Sequence, residues 1–155
     1  MKKIAVMLAL TLALTACGGG AGDSDRYEAA QTAAMAEAGA FSEELEEVDA
    51  DTAFALYRLA GAGLSREDLK ECAVLRSAGA TCEEGAVLVF AGADHAEAAQ
   101  GALEDYVQSQ IDANTDYRPA EIPKLESALV DRRGETLLLV VASDLDAAKG
   151  AVGLK

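Results

Sequence analysis

Apolar positions change their pattern several times along this chain, and each pattern predicts a different element. Residues 4–16 are apolar without a charge, interrupted only by Thr11 and Thr15. Residues 25–51 are mostly Ala and acidic residues. Gln31–Ala38 favours helix by propensity but offers little to bury. Asp51 predicts a cap for a short helix carrying Phe54, Leu56, Tyr57 and Leu59, stopped by Gly61 and Gly63. Ser65-Arg66-Glu67-Asp68 has the pattern of a capping box and predicts a further helical turn. Residues 86–91 and 136–141 are apolar on both faces, as central strands are. From Asp94 to about Asn114, Ala96, Ala99, Leu103, Tyr106 or Val107, and Ile111 keep helical spacing and predict one long helix on a sheet.

These elements recur. Residues 72–79 line up with 127–134, 86–91 with 136–141, and 98–103 with 147–152; Asp94 and Asp144 are each placed to cap the following helix. The reading is an α+β fold: a duplicated strand-turn-strand-helix unit forming a four-stranded, mainly antiparallel sheet with helices packed on it. Arg76, Asp131, Arg132 and Arg133 place the first strand of each unit at an edge. Arg133-Gly134-Glu135 predicts a tight turn in the second hairpin, whereas the first carries the longer loop 78–85. Between the units, Pro119 and Pro123 forbid a continuous helix and predict a rigid crossover. Loops held by a scaffold often bind, so Tyr117, Arg118, Pro119 and Glu121 are the candidate interaction loop, with the hairpin loop 78–85 as the alternative.

Charge narrows the partners. The chain has 155 residues with 27 Asp and Glu against 13 Lys and Arg, a formal charge of -14. Phosphates would be repelled, which argues against nucleic acid and against electrostatic adhesion to anionic lipid. Aromatic residues are 5% with no Trp, so a stacking platform for bases or sugars is poorly supplied. Membrane attachment must therefore come from apolar material. Lys2 and Lys3 precede the apolar run, whose thirteen residues rise about 20 Å as a helix, short of the hydrocarbon core of about 30 Å. That length fits a secretory signal better than a permanent span.

Leu14-Thr15-Ala16-Cys17 resembles the lipobox of bacterial lipoproteins. The resemblance implies a diacylglyceryl group on the Cys17 sulfur and cleavage just before it. Two acyl chains suffice for stable anchoring. Loss of residues 1–16 removes Lys2 and Lys3 and takes the formal charge from -14 to -16. The organisation read from this is a signal peptide over 1–16, a lipidated cysteine with Gly-rich tether and acidic spacer over 17–50, and a globular domain over 51–155. Glu43, Glu44, Glu46, Glu47, Asp49 and Asp51 lack the spacing and glycine of a calcium loop and read as a solvated face.

From about Asp51 onward the chain resembles the uncharacterised bacterial lipoprotein family known as domain of unknown function 4358. The lipobox, the strand start Glu71-Cys72-Ala73-Val74, the Gly85–Phe90 strand, the long helix into Tyr117-Arg118-Pro119, and the segments 124–130 and 137–141 carry it. The resemblance implies a lipid-anchored, extracytoplasmic domain on the cell membrane of a Gram-positive type envelope. It supplies no activity and no catalytic residue. The Ala-rich segment before Asp51 and the two internal cysteines depart from the family pattern.

Candidate chemistry is sparse. His95 is the single histidine, at the first turn of a helix, where an exposed side chain is the ordinary outcome. Cys72 and Cys82 stand ten apart across about 20 Å of strand, too far for a disulfide, and are expected as free thiols with Cys72 largely buried. Residues 79–85 match no phosphate-binding pattern. No catalytic residue, metal site or cofactor is assigned. The expected function is a non-enzymatic interaction module of the cell envelope with a protein or wall-associated partner. A small-ligand or cation sensor between the two repeats, or a hydrolase built on carboxylates, stand as alternatives.

Overall fold

The computed structural model describes residues 25–155; the signal peptide expected over 1–16 and the lipidation site expected at Cys17 lie outside them. Five strands form one open antiparallel sheet in the order β1-β2-β3-β5-β4: β1 (Glu46–Val48), β2 (Leu69–Arg76), β3 (Glu84–Phe90), β4 (Leu129–Arg133) and β5 (Thr136–Val141). The helices are α1 (Ala30–Glu37), α2 (Ala50–Leu56), α3 (Ala93–Asn114), α4 (Ile122–Glu126) and α5 (Leu145–Ala151), with short 3-10 turns over 59–62, 66–68 and 119–121. The α+β class and the antiparallel sheet follow the sequence pattern; the strand count and the layering do not.

Every residue of β3 and β5 is buried, because both faces of these central strands are covered. Alternation divides their side chains between two cores. Leu88, Phe90, Leu137 and Leu139 meet α2, α3 and α4 with Leu103, Tyr106 and Leu125. Val87, Leu138 and Val140 meet α1 and α5 with Tyr27, Met35, Ala148 and Val152. The molecule is therefore three-layered.

This layering corrects three expectations. The sheet has five strands, because β1 pairs with β2 in the register Glu46↔Arg76 and takes the edge assigned to β2. The order strand-turn-strand-helix does occur twice, yet α3 and α5 lie on opposite faces of the sheet. The second unit is not a rotated copy of the first, and no cleft lies between equivalent helices. The described part of the segment read as tether and spacer, 25–50, is also part of the fold. Tyr27, Met35 and Ala40 are fully buried, and β1 is built from the acidic run itself.

Local signals explain several boundaries. Asp49 caps α2 by accepting the Asp51 and Thr52 N–H groups, two residues before the cap expected at Asp51. The Ser65 capping box closes through Asp68. Asp144 caps α5 through the Ala147 N–H. Gly92 precedes α3, leaving Asp94 in its first turn. Pro119 and Pro123 sit in first turns, where the missing N–H costs little.

The chain joins the sheet beside the β4–β5 turn. The Tyr27 N–H donates to Thr136 Oγ1 at 2.8 Å, its hydroxyl donates to Asp131, and Arg133 lies over its ring at 4.8 Å.

Candidate functional site

At the other end of the sheet, the loop between β2 and β3, the crossover after α3, residues 42–43 and Ser143 meet. Serine, threonine and acidic side chains in these loops satisfy one another. Glu43 accepts from Ser77 Oγ at 2.7 Å and Thr81 Oγ1 at 2.6 Å. Ser77 Oγ in turn accepts the Gly79 and Thr81 N–H groups. Arg118 donates from Nη1 to the Gly79 and Thr81 carbonyls at 2.8 and 3.0 Å, and its Nε donates to Asn114 at 2.8 Å. Glu121 accepts the Cys82 N–H at 2.8 Å and pairs with Lys124. The two loops singled out in the sequence, 78–85 and 115–123, are thus joined into one surface.

Of the four candidate loop residues, Arg118 and Glu121 hold the junction and Pro119 starts the 3-10 turn behind it. Tyr117 projects outward, 79% exposed, with the Arg118 guanidinium 5.6 Å from its ring centre. It is the exposed large hydrophobic side chain among the described residues.

Beneath this surface lie two adjacent glutamates, within the segment 78–85 that the sequence predicts as a loop. Glu83 is fully buried, its carboxylate accepting from the Ser42 N–H and Oγ at 2.8 and 2.9 Å, from Lys124 Nζ at 3.1 Å, and from the Ser143 hydroxyl. Burial pushes its carboxyl up, but the bonds from Ser143, Ser42 and Lys124 outweigh burial and hold it below the usual carboxylate range. Glu84, 2% exposed, accepts from the hydroxyls of Tyr57 and Tyr106, the latter at 2.7 Å, and from Arg76 Nε at 3.2 Å. The two tyrosine rings meet edge to face at 5.1 Å. Here burial prevails over Tyr57, Tyr106 and Arg76, and the carboxyl is raised. The signal that pointed to them is two acids abutting a strand with no exposed face.

Opposed protonation is what a two-carboxylate hydrolase needs. Glu83 and Glu84 are shifted in opposite directions but share no site, because these chain neighbours point to opposite faces of the sheet and each carboxylate is sealed by its own donors. Lys124 is held above its ordinary value by Glu83 and Glu121 despite burial, so it stays an ammonium and is no base for Ser42 or Ser143. His95 is about one-third exposed, its Nε2 3.9 Å from Asp68. Cys72 and Cys82 are free and half-buried, and burial raises both thiols. Among the described residues, no three His, Cys, Asp or Glu side chains gather to hold a metal ion, and no helix is long and apolar enough to cross a membrane. A groove of about 400 Å³ runs between residues 58–62 and α3, lined by Arg58, Asp105 and Tyr106 among small residues. It lies on one face of the sheet and not between the repeats.

No protein-family model, curated protein or solved structure matches the chain.

Proposed function

We propose that the chain is a lipid-anchored, extracytoplasmic lipoprotein that serves as a non-enzymatic interaction module of the cell envelope, akin to the family named above. Lys2 and Lys3, the short apolar run and Leu14-Thr15-Ala16-Cys17 support the anchor. The observation that carries the binding role is the joined surface of loops 78–85 and 115–123, rigid at its base and crowned by Tyr117.

The path of the chain agrees with this reading. Tyr27 is fastened beside Thr136, the first residue of β5, whereas the loop surface lies beyond Val141, the last. Six residues of strand separate them by about 17 Å at ~3.3 Å per residue. The described chain therefore enters the domain at the end opposite the loop surface, and in this reading the loop end is the one offered to a protein or wall-associated partner.

The test has two arms. Wild-type chain labels with radioactive palmitate and sediments with membranes, whereas Cys17→Ala does neither; unlabelled wild type in the soluble fraction refutes the anchor. A photo-crosslinking residue at Tyr117 captures a discrete partner in intact cells, and the same residue at Glu104 on α3 does not. Identical products from both positions refute the loop surface and leave the anchor standing.

A further inference from the structure

We infer that the α1–β1 face is a second interaction surface, an apolar groove rimmed by carboxylates that takes a basic amphipathic segment of a partner protein. The groove encloses about 430 Å³, within the range of about 300–1,000 Å³ that ligand clefts occupy. Its apolar wall is Phe41, Leu45 and Leu75, all only half-buried, and Ala33 and Ala36 of α1 leave the space open.

Charge identifies the occupant. Residues 27–57 contain eight Asp or Glu and neither Lys nor Arg. Three of those acids have work inside the fold: Glu43 holds Ser77 and Thr81, Asp49 caps α2, and Asp51 pairs with Arg66. Glu37 and Glu44 on the groove rim are exposed without a side-chain partner among the described residues, as is Glu47 on β1, opposite Leu75. Three unpaired carboxylates around apolar side chains repel lipid phosphates and nucleic acid and attract lysine and arginine. The apolar wall adds a second requirement that a simple cation does not meet. A segment with leucine-like anchors between lysines satisfies both. β1 also closes the sheet with no strand on its outer side among the described residues, so the neighbouring backbone is open to the same partner.

The groove shares Glu43 with the base of the loop surface but is not lined by Tyr117, and its test depends on neither Tyr117 nor the lipid anchor. The probe is a fluorescein-labelled twelve-residue peptide alternating Lys and Leu, titrated with the full chain at about 0.15 M salt and read by anisotropy. Two companion peptides carry Glu for Lys, or Ser for Leu. Wild-type chain binds the Lys/Leu peptide, and each companion binds at least about tenfold more weakly. Glu37→Lys with Glu44→Lys weakens binding by roughly tenfold or more. The same reversal on α3, Glu97→Lys with Glu104→Lys, changes net charge equally and shifts affinity less than about twofold. Leu45→Ser, its fold checked by circular dichroism, weakens binding without changing net charge. Absence of binding, equal loss from both reversals, or a Ser-for-Leu peptide that binds as tightly overturns the inference.

Discussion

Glu83 and Glu84 are neighbours on one chain and almost equally hidden, yet they are stabilised in opposite ways. Glu83 sits on the α1–α5 side of the sheet among donors alone: two serine hydroxyls, a backbone N–H and an ammonium. Those donors favour the ionised carboxylate strongly enough to outweigh burial. Glu84 sits on the α3 side between two tyrosine hydroxyls and one Arg76 contact, deep in an apolar core. There burial dominates, and the proton is held more tightly than in water. One residue of offset turns a charged fastening for three loops into a polar centre joining α2, α3 and two strands. Burial by itself thus says little about what a carboxylate does; the inventory of donors around it decides.

The largest expected effect follows from that inventory. Glu83→Ala leaves Lys124, Ser42 and Ser143 facing a site without an acceptor, and removing one partner of a buried charged pair costs about 3–5 kcal/mol. Urea unfolding should show the midpoint falling with an unchanged slope. A loss below about 1 kcal/mol would mean that water replaces the carboxylate freely and that Glu83 is no fastening.

Two residues beyond Glu83 and on the same face, Gly85 sharpens the contrast. A Cβ there would stand 2.8 Å from Phe41 Cζ and 3.1 Å from Met35 Cε. Overpacking of this kind costs about 1–3 kcal/mol, so Gly85→Ala should destabilise by that amount. The nearest atom belongs to a half-buried ring, and Phe41→Leu should recover part of the loss. A double-mutant cycle with no coupling between positions 41 and 85 would remove this explanation for the glycine.

These same positions mark what was legible in the sequence. Residues apolar on both faces announced β3 and β5, and helical spacing announced α3 almost to its ends. The two candidate loops were also readable, because prolines and glycines interrupt those patterns there; that they meet was not, since Arg118 and the Gly79 carbonyl lie 39 residues apart. β1 was hidden because three residues carry no alternation and its partner lies some 28 residues on, at Val74–Arg76. Tyr27 and Met35 were hidden because single large side chains among alanines make no period, although each fills a site in the core. The repeat misled because hairpin order is local, whereas the face on which a helix packs is decided by which strand side chains it covers. Glu83 and Glu84 were hidden because acids are ordinarily exposed, and nothing local reveals Ser42 and Ser143 as donors to Glu83 or Tyr57 and Tyr106 as donors to Glu84.

The smallest effect is the most discriminating, because it depends on sign. Glu84 has a folded value raised above the ordinary 4.5, so below that pH it is protonated in both states. As pH rises past 4.5 the unfolded chain ionises first, the folded chain binds more protons, and stability falls until the folded carboxyl also ionises. Glu83 is lowered, so its contribution is present above 4.5 and is lost as pH falls below it, where the unfolded chain takes up the proton first. Glutamine at either position removes the titration and keeps the shape. The stability of wild type relative to Glu84→Gln should therefore decline with rising pH above 4.5. Relative to Glu83→Gln it should decline with falling pH below 4.5. Neither slope can exceed about 1.36 kcal/mol per pH unit, the limit for one proton. Urea midpoints measured in steps between about pH 3 and pH 8 give both curves. Two slopes of the same sign would show that the donors around the two carboxylates do not set their charge, and the contrast between the faces of the sheet would reduce to burial.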